Sequence, residues 1–327
     1  KYENIEFILI KKLTNKEVFS MNIWRINCKP GSQLVEHKES FKKWIEKEFV
    51  GIGWSKEENF LLGLENINIS AHAIKEHIYE SLKKSNYRTR SYITYTNILF
   101  NRMKKGDYIW TRCDGIYKLG IIIDENCLYN TYPNEDFIPN RYQIGFYRKV
   151  KWLKKDFVEN EVPGKIIASF RNPSTLQKVY ENKNELSLYC KINIENNSIH
   201  FPIADWKNLL SAEDIEEIVG LYLQIEKKLY IYTSTCKEDT SLIEFQLIDI
   251  KGNLYGVQVK SGNTNINADE YFDLSKKMKI FLFATNDNIY NLEKYKNIEK
   301  IESKEITFFI EKYLDILPKK VRFWFEK

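Results

Sequence analysis

Residues 241–262, SLIEFQLIDIKGNLYGVQVKSG, hold two runs of alternating apolar and polar residues on either side of Lys-Gly-Asn. Such alternation is typical of strands with one buried face, and the tripeptide is typical of a turn, so the stretch predicts a β-hairpin. Side chains two residues apart on a strand share a face. The apolar face of this hairpin then carries Phe245, Leu247, Val257 and Val259.

The polar face of the same hairpin carries Glu244, Gln246, Gln258 and Lys260. A hairpin that folds symmetrically about Gly252 sets residue 244 opposite residue 260 and residue 246 opposite residue 258. This register would gather a carboxylate, a carboxamide and an ammonium group on one face. The alternative interpretation is a cross-strand Glu–Lys pair on a solvated surface, which contributes little energy.

A one-sided helix precedes the hairpin and an apolar strand follows it. The helix is predicted within residues 211–230, SAEDIEEIVGLYLQIEKKLY, with Ser211 as its N-cap. The strand is predicted within residues 278–287, MKIFLFATND. Glu216 and Glu217 stand in the first turns of the helix, and the sequence leaves open which of the two faces the hairpin.

This order of elements resembles the core of the PD-(D/E)xK nucleases. In their Mrr-like branch the second acid of the motif is replaced by glutamine, and VQVKSGN at residues 257–263 resembles that Q-x-K form. DIEEIV at residues 214–219 resembles the helical glutamate segment of the same branch. The resemblance covers residues 208–290. It implies a restriction-endonuclease-like α/β/α core with a mixed central sheet, and a metal-dependent endonuclease that hydrolyses phosphodiester bonds.

The resemblance also implies a role for each polar side chain. Glu244 would be the principal ligand of Mg²⁺, for which Mn²⁺ can substitute. Gln258, or the backbone carbonyl beside it, would be a second ligand, and Glu216 a third, directly or through water. Lys260 would orient a water molecule and stabilise the negative charge that develops on the phosphate. The chain departs from the family in one respect, because a glutamate stands where the family usually has an aspartate.

Basic residues concentrate in two acid-free stretches of the first half of the chain, residues 81–106 and 141–155. The first interleaves tyrosines and a phenylalanine with basic residues, a combination that suits phosphates and stacked bases. The alternative is a pair of solvated faces with ordinary core aromatics. Two such stretches favour nucleic acid, and the candidate binding residues are Arg88, Arg90, Lys104 and Lys105.

Short glycine-containing motifs punctuate the same half: WRIN at residues 24–27, GIGW at 51–54, and KKGDYIW followed by YKLGIII within 104–123. Their order resembles the PUA-like superfamily, and in particular the EVE-like modules. The resemblance spans roughly residues 21–155. It implies a partly closed β-barrel with helices and a pocket that accepts a base, often a modified one. Trp54, Trp110 and Trp24 are the candidate pocket walls, and core packing is the alternative for each.

With 327 residues the chain is long enough for two domains. The expected organisation is a nucleic-acid-binding domain at residues 1–180, a linker at 181–207 and a nuclease domain at 208–327, together an α/β (α+β) protein. The expected partners are DNA, with RNA left open, and a second copy of the chain, because one such site cuts one strand. A modification-dependent restriction or anti-phage role would follow.

Cysteine and histidine usage excludes several other classes of site. The five cysteines are scattered without a CxxC pair, and the four histidines lack metal-ligand spacing, so neither a zinc knuckle nor a disulfide framework is expected. No apolar run reaches membrane-spanning length, and no signal-peptide pattern is present, so a cytoplasmic protein is expected. The rival of a different class is a non-catalytic binding protein on a nuclease scaffold.

Overall fold

The computed structural model describes residues 21–28, 37–54, 70–86, 89–129, 144–181, 184–197, 199–236 and 242–326. The chain forms two units. The first comprises Lys1–Glu159, Ser169–Tyr180 and Leu186–Asn197, and the second comprises Asn160–Ala168, Glu181–Glu185 and Ser198–Lys327. The fold is mixed α and β, in agreement with the predicted class. The chain therefore enters the second unit three times.

The strands are β1 (Ile23–Asn27), β2 (Phe49–Ile52), β3 (Tyr108–Cys113), β4 (Ile116–Ile122), β5 (Leu128–Tyr129), β6 (Phe146–Trp152), β7 (Phe157–Val158), β8 (Leu176–Val179), β9 (Tyr230–Ile231), β10 (Phe245–Ile248), β11 (Leu254–Lys260), β12 (Ile266–Asn267), β13 (Lys279–Ala284), β14 (Ile289–Tyr290) and β15 (Ile298–Lys300).

The α-helices are α1 (His37–Glu46), α2 (Ala71–Lys84), α3 (Arg90–Asn97), α4 (Gly164–Ser169), α5 (Glu185–Glu195), α6 (Trp206–Leu209), α7 (Ala212–Ile225), α8 (Phe272–Ser275), α9 (Ser303–Tyr313) and α10 (Lys319–Arg322). A π-helical turn, Ile98–Arg102, continues α3.

The sheet of the first unit contains, among the described residues, eight strands in the order β2-β6-β4-β3-β1-β8, with β5 paired to β6 and β7 paired to β4. β1 runs parallel to β3 and antiparallel to β8. The sheet curls into a half-barrel, which agrees at this coarse level with the predicted partly closed barrel. Its core includes Trp24, Ile26, Val50, Tyr92 and Phe146.

The stretch expected as a linker, residues 181–207, contains a packed helix. Within α5, Leu186, Tyr189 and Cys190 are buried, at the i, i+3, i+4 spacing of one helical face. Further on, Trp206 is buried and its ring stacks on Phe283 at 6.1 Å between centroids. The described asparagines of this stretch lie in or next to α5, and residues 181–207 are divided between the two units.

The sheet of the second unit has, over the residues that the structure describes, five strands in the order β15-β13-β11-β10-β9. β11, β13 and β15 are parallel neighbours, whereas β10 is antiparallel to both β11 and β9. This is the mixed sheet that the sequence predicted.

The hairpin of β10 and β11 forms with a register different from the predicted one. Phe245 pairs with Val257 and Ile248 with Leu254, so the turn is centred on Lys251 rather than Gly252, and the ladder is displaced by two residues. Asp249 sets this register, because its Oδ1 accepts hydrogen bonds from the backbone N–H groups of residues 251 and 253 at 2.8 and 2.9 Å. A displacement of two residues leaves every side chain on its predicted face.

Both faces of this sheet are covered. α7 packs on the apolar face, where a Cβ added at Gly220 would lie 3.5 Å from the ring of Phe245, an ordinary van der Waals distance. On the opposite face Tyr271 and neighbouring apolar residues cover Ile280 and Leu282 of β13. Since β11 is central, its polar residue Gln258 is only 2% exposed. A buried carboxamide requires hydrogen-bond partners.

Candidate active site

Glu244, Gln258 and Lys260 meet at the end of the hairpin that lies away from its turn. Gln258 Nε2 donates a hydrogen bond to Glu244 Oε1 at 2.6 Å. Lys260 Nζ lies 3.7 Å from the same oxygen. One carboxylate oxygen thus faces both an amide N–H and an ammonium group. The structure brings together the three side chains that the sequence singled out.

Gln258 is the rigid member of this group. Its amide nitrogen also donates to the carbonyl oxygen of Val259 at 3.2 Å, so the carboxamide is held in one orientation. The side chains of Glu244 and Lys260 are 31% and 41% exposed, in contrast to the buried Gln258. In this arrangement Gln258 positions the Glu244 carboxylate, while Glu244 and Lys260 remain open to a ligand.

The helix α7 resolves which of its two glutamates faces the hairpin. Ser211 caps the helix, with its Oγ accepting from the Asp214 N–H at 3.3 Å, and this sets the helix phase. Glu217 Oε2 lies 2.7 Å from Lys320 Nζ, which also contacts Asp214 Oδ1 at 3.0 Å. Glu217 is therefore engaged in an ion pair with α10.

Glu216 lies near several charged side chains of the candidate site. Burial raises the pKa of its carboxyl to about 7, with further increases from the negative charges of Glu244 and Glu213. The ammonium groups of Lys260 and Lys165 oppose that rise. Glu216 is thus close enough to both Glu244 and Lys260 for their charges to act on its carboxyl group.

Two members of this surrounding were not identified from the sequence. Glu213 lies one turn before Glu216 on α7, and Lys165 lies on α4, where its Nζ is 3.1 Å from Glu213 Oε1. α4 approaches α7 closely, because the N–H of Gly164 donates to Asp214 Oδ1 at 2.9 Å. A Cβ at Gly164 would come within 2.7 Å of the Glu213 Cβ, so glycine is required for this approach. No local pattern in the sequence signals a contact between residues so far apart.

The oxygen atoms at this site suit a hard divalent cation. The described residues contain no group of three or more histidines, cysteines, aspartates or glutamates arranged to hold a metal ion. The negative charge of Glu244 nevertheless raises the pKa of the Glu216 carboxyl, so the two carboxylates repel each other. Mg²⁺ is commonly held by one or two carboxylates, with water and phosphate oxygens completing its coordination. The two carboxylates of Glu244 and Glu216 therefore fit a site for Mg²⁺.

Trp54 occupies an unusual backbone conformation in the first unit. Its φ of 65° lies in the left-handed region that is rare for a bulky side chain. The half-buried indole packs edge-on against Tyr92, 5.1 Å between ring centroids, and lies 6.3 Å from Tyr95. Gly145 permits the conformation, because a Cβ there would lie 2.7 Å from the Trp54 carbonyl oxygen. Strained positions of this kind occur most often at functional sites.

Trp24 and Trp110 lie in the core, as the alternative interpretation had it. Trp24 is 1% exposed, and its Nε1 donates to Asp107 Oδ2 at 2.7 Å. Trp110 is fully buried, and its indole packs against Phe157 at 5.3 Å between centroids. Complete burial prevents either indole from walling an open pocket, which corrects the prediction made for these two residues.

Three of the four predicted basic residues are exposed to solvent, and they lie on two different structural elements. Arg90 begins α3, whereas Lys104 and Lys105 follow the π-helical turn, where Lys105 pairs with Glu125 at 3.1 Å. Arg88 lies outside the described residues. Arg148, from the second acid-free stretch, is buried and paired with Asp124 at 2.8 Å, so it supports the fold.

None of the helices among the described residues has the length and apolar character needed to cross a bilayer. Comparison of the chain with protein-family models, with curated proteins and with solved structures finds no match. The geometry of the side chains is therefore what bears on the function of the protein.

Proposed function

We propose that this protein is a Mg²⁺-dependent endonuclease that hydrolyses phosphodiester bonds of DNA. The observation that carries the proposal is the convergence of Gln258 and Lys260 on one oxygen of Glu244, with the carboxyl of Glu216 nearby. A solvated Glu–Lys pair would need neither the buried carboxamide nor the second carboxyl. The combination would suit a site that binds and hydrolyses a phosphodiester.

Each side chain has a separate task in the proposed reaction. Glu244 and Glu216 would hold the cation, which supplies polarisation of the phosphate and acidification of a bound water. Gln258 keeps the Glu244 carboxylate in one orientation. Lys260 would orient the attacking water and stabilise the negative charge that develops on the phosphate oxygens.

The first unit would bind the nucleic acid. Its exposed residues Arg90, Lys104 and Lys105 would contact phosphates, and Trp54 would stack on a base in a pocket that also includes Tyr95. A base modification would then decide which DNA is held and cut, as in modification-dependent restriction or anti-phage defence in the cytoplasm. Because one site cuts one strand, we propose that the protein acts as a homodimer, which sedimentation of the chain with and without DNA would check.

The test is incubation with Mg²⁺, or with Mn²⁺, of three matched substrates: unmodified DNA, cytosine-modified DNA and RNA of the same sequence. We expect cleavage of DNA, faster on the modified duplex, and no cleavage after chelation of the cation. Cleavage of RNA alone would redirect the proposal to an RNA nuclease. Binding without cleavage of any substrate would favour a non-catalytic nucleic-acid-binding protein.

Replacing Trp54 by alanine is expected to weaken binding of the preferred duplex by about 1–3 kcal/mol, because base–aromatic stacking is lost. Binding that depends on the exposed basic residues should persist. Trp54→Phe is the matched control, since it retains an aromatic face. Affinity for modified and unmodified duplexes, measured beside the melting temperature, separates the outcomes. Equal losses on both duplexes together with a lower melting temperature would assign Trp54 to the core.

A further inference from the structure

Lys165 is a lysine at the candidate active site that the nuclease resemblance does not include. It lies on α4, outside residues 208–290, yet the second unit contains it because Asn160–Ala168 belongs to that unit. The Gly164–Asp214 hydrogen bond holds the start of α4 against the first turn of α7. The ammonium group of Lys165 is close enough to Glu216 to act on its charge, as is that of Lys260. The ammonium groups of two lysines, Lys165 and Lys260, thus lie near Glu216.

The ion pair of Lys165 with Glu213 is of a kind that a ligand can displace. Their side chains are 42% and 26% exposed, and ion pairs this open to water contribute little to the stability of the fold. Among the described residues, Glu213 Oε2 is buried without a hydrogen-bond partner, so the pair is made through one oxygen only. Lys320 of α10 offers a contrast, since it is 6% exposed and contacts two carboxylates of α7. Lys320 is structural, whereas Lys165 can move.

The net charge of the site indicates which kind of ligand Lys165 would bind. Because a carboxyl group that binds a cation must give up its proton, the carboxylates of Glu213, Glu216 and Glu244 in the cation-loaded site carry three negative charges, and the two lysines carry two positive charges. One divalent cation would leave the group with a single positive charge. A phosphodiester carries one negative charge and would neutralise it. Without Lys165 the loaded site would be neutral and would have no net attraction for a phosphate.

We infer that Lys165 binds a phosphate of the nucleic-acid substrate beside the reacting one, and that Glu213 holds its ammonium group in readiness until the substrate arrives. This inference rests on the proposed function. It makes Lys165 a substrate-binding residue contributed by a segment that lies, in the chain, between stretches of the first unit. Lys260 retains the task of acting on the reacting phosphate.

The test uses full-length protein carrying Lys165→Met, Lys165→Arg or, as a matched control, Lys312→Met. Lys312 is a similarly exposed lysine of the second unit, and it pairs with Glu226 at 2.9 Å. Binding of fluorescein-labelled duplex DNA is measured by anisotropy with Ca²⁺ in place of Mg²⁺ over a range of salt. We expect Lys165→Met to weaken binding about tenfold and to reduce the slope of log affinity against log salt by about one. Lys165→Arg should retain the native slope, and Lys312→Met should match the native protein.

A second variant separates phosphate binding from simple attachment of α4. Glu213→Gln frees Lys165, so it should bind duplex DNA more tightly than the native protein, and adding Lys165→Met should abolish that gain. If the pair merely attaches α4 to α7, both single variants would lower the melting temperature and leave the salt slope unchanged, which would overturn the inference.

The outcomes also distinguish this inference from the proposed function. Native-like cleavage, affinity and salt slope in Lys165→Met would refute the role of Lys165 and leave the nuclease intact. A native protein that binds DNA without cutting it, with a reduced slope in Lys165→Met, would refute the nuclease and retain the phosphate contact. Failure of the native protein to bind DNA would overturn both.

Discussion

Lys260→Ala is expected to lower the rate of DNA cleavage by about 10²–10³-fold, the usual cost of removing one group that stabilises charge in a transition state. The fold should survive, because the contact of Lys260 with Glu244 is a half-exposed ion pair worth about 0–1 kcal/mol. The measurement is single-turnover cleavage with saturating Mg²⁺, beside the free energy of unfolding from urea titration. The rate of cleavage should fall, whereas the affinity for DNA should stay close to that of the native protein.

Lys251→Ala is the matched control for that experiment. Lys251 lies in the turn of the same hairpin and is exposed to solvent. Its removal takes away the same charge from the same strand pair at the opposite end, so cleavage should stay at the native rate. If Lys260→Ala cleaves DNA as fast as Lys251→Ala, the site assigned to Glu244, Gln258 and Lys260 is not the site of hydrolysis.

Glu216→Gln is expected to reduce cleavage and, in the absence of divalent cations, to stabilise the fold. Loss of a group that supports the cation should cost about 10–100-fold in apparent metal affinity or activity. The effect on stability follows from the pKa of Glu216, which folding raises from 4.5 to about 7 through burial and the charges of Glu244 and Glu213. The folded protein therefore binds this proton more tightly than the unfolded chain does.

The direction of the pH dependence follows from linkage. Below pH 4.5 Glu216 is protonated in both states and contributes no difference, whereas between pH 4.5 and 7 the unfolded chain loses the proton first. The free energy of unfolding thus falls as the pH rises, and the penalty is complete above pH 7. Since each unit of pKa corresponds to about 1.4 kcal/mol and the side chain is partly exposed, we expect Glu216→Gln to be about 1–3 kcal/mol more stable than the native protein at alkaline pH.

Urea titration of both proteins in a chelating buffer, from acidic to alkaline pH, measures that difference. Adding Mg²⁺ at alkaline pH should stabilise the native protein more than Glu216→Gln, because a ligand that binds only the folded state raises its stability. Glu217→Gln is the control: it removes a partner of the buried Lys320, so it should lower stability and leave cleavage unchanged. Parallel stability curves for native protein and Glu216→Gln would contradict the assignment of Glu216.

The hairpin shows how far the sequence predicts the site. Alternation determines which side chains share a face, and a shift of two residues in register does not alter that, so the sequence places Glu244, Gln258 and Lys260 on one face with either turn. The register itself depends on Asp249, whose carboxylate caps the turn. Side-chain capping of this kind competes with the simple symmetric turn and is easily missed in a pattern of alternation.

Other features needed three-dimensional information. The phase of α7 depends on its cap and on Lys320, a partner about a hundred residues away, so Glu216 and Glu217 could not be separated beforehand. Tryptophan suits both pockets and cores, and only burial distinguished Trp24 and Trp110 from Trp54. Lys165 was out of reach for the same reason, because its neighbours on α7 are remote in the chain.

The repeated passage of the chain into the second unit has a consequence for protein engineering. A recombinant swap that joined residues 198–327 to a foreign binding module would omit Asn160–Ala168, and with it the N–H group that Gly164 donates to Asp214. The Asp214 carboxylate also accepts a hydrogen bond from the Ser211 hydroxyl and contacts Lys320. The lost hydrogen bond would therefore weaken the N-terminal cap of α7. A fusion protein that is to fold must therefore include Asn160–Ala168 as well. A fusion that contains residues 198–327 alone is expected to express poorly or to be inactive.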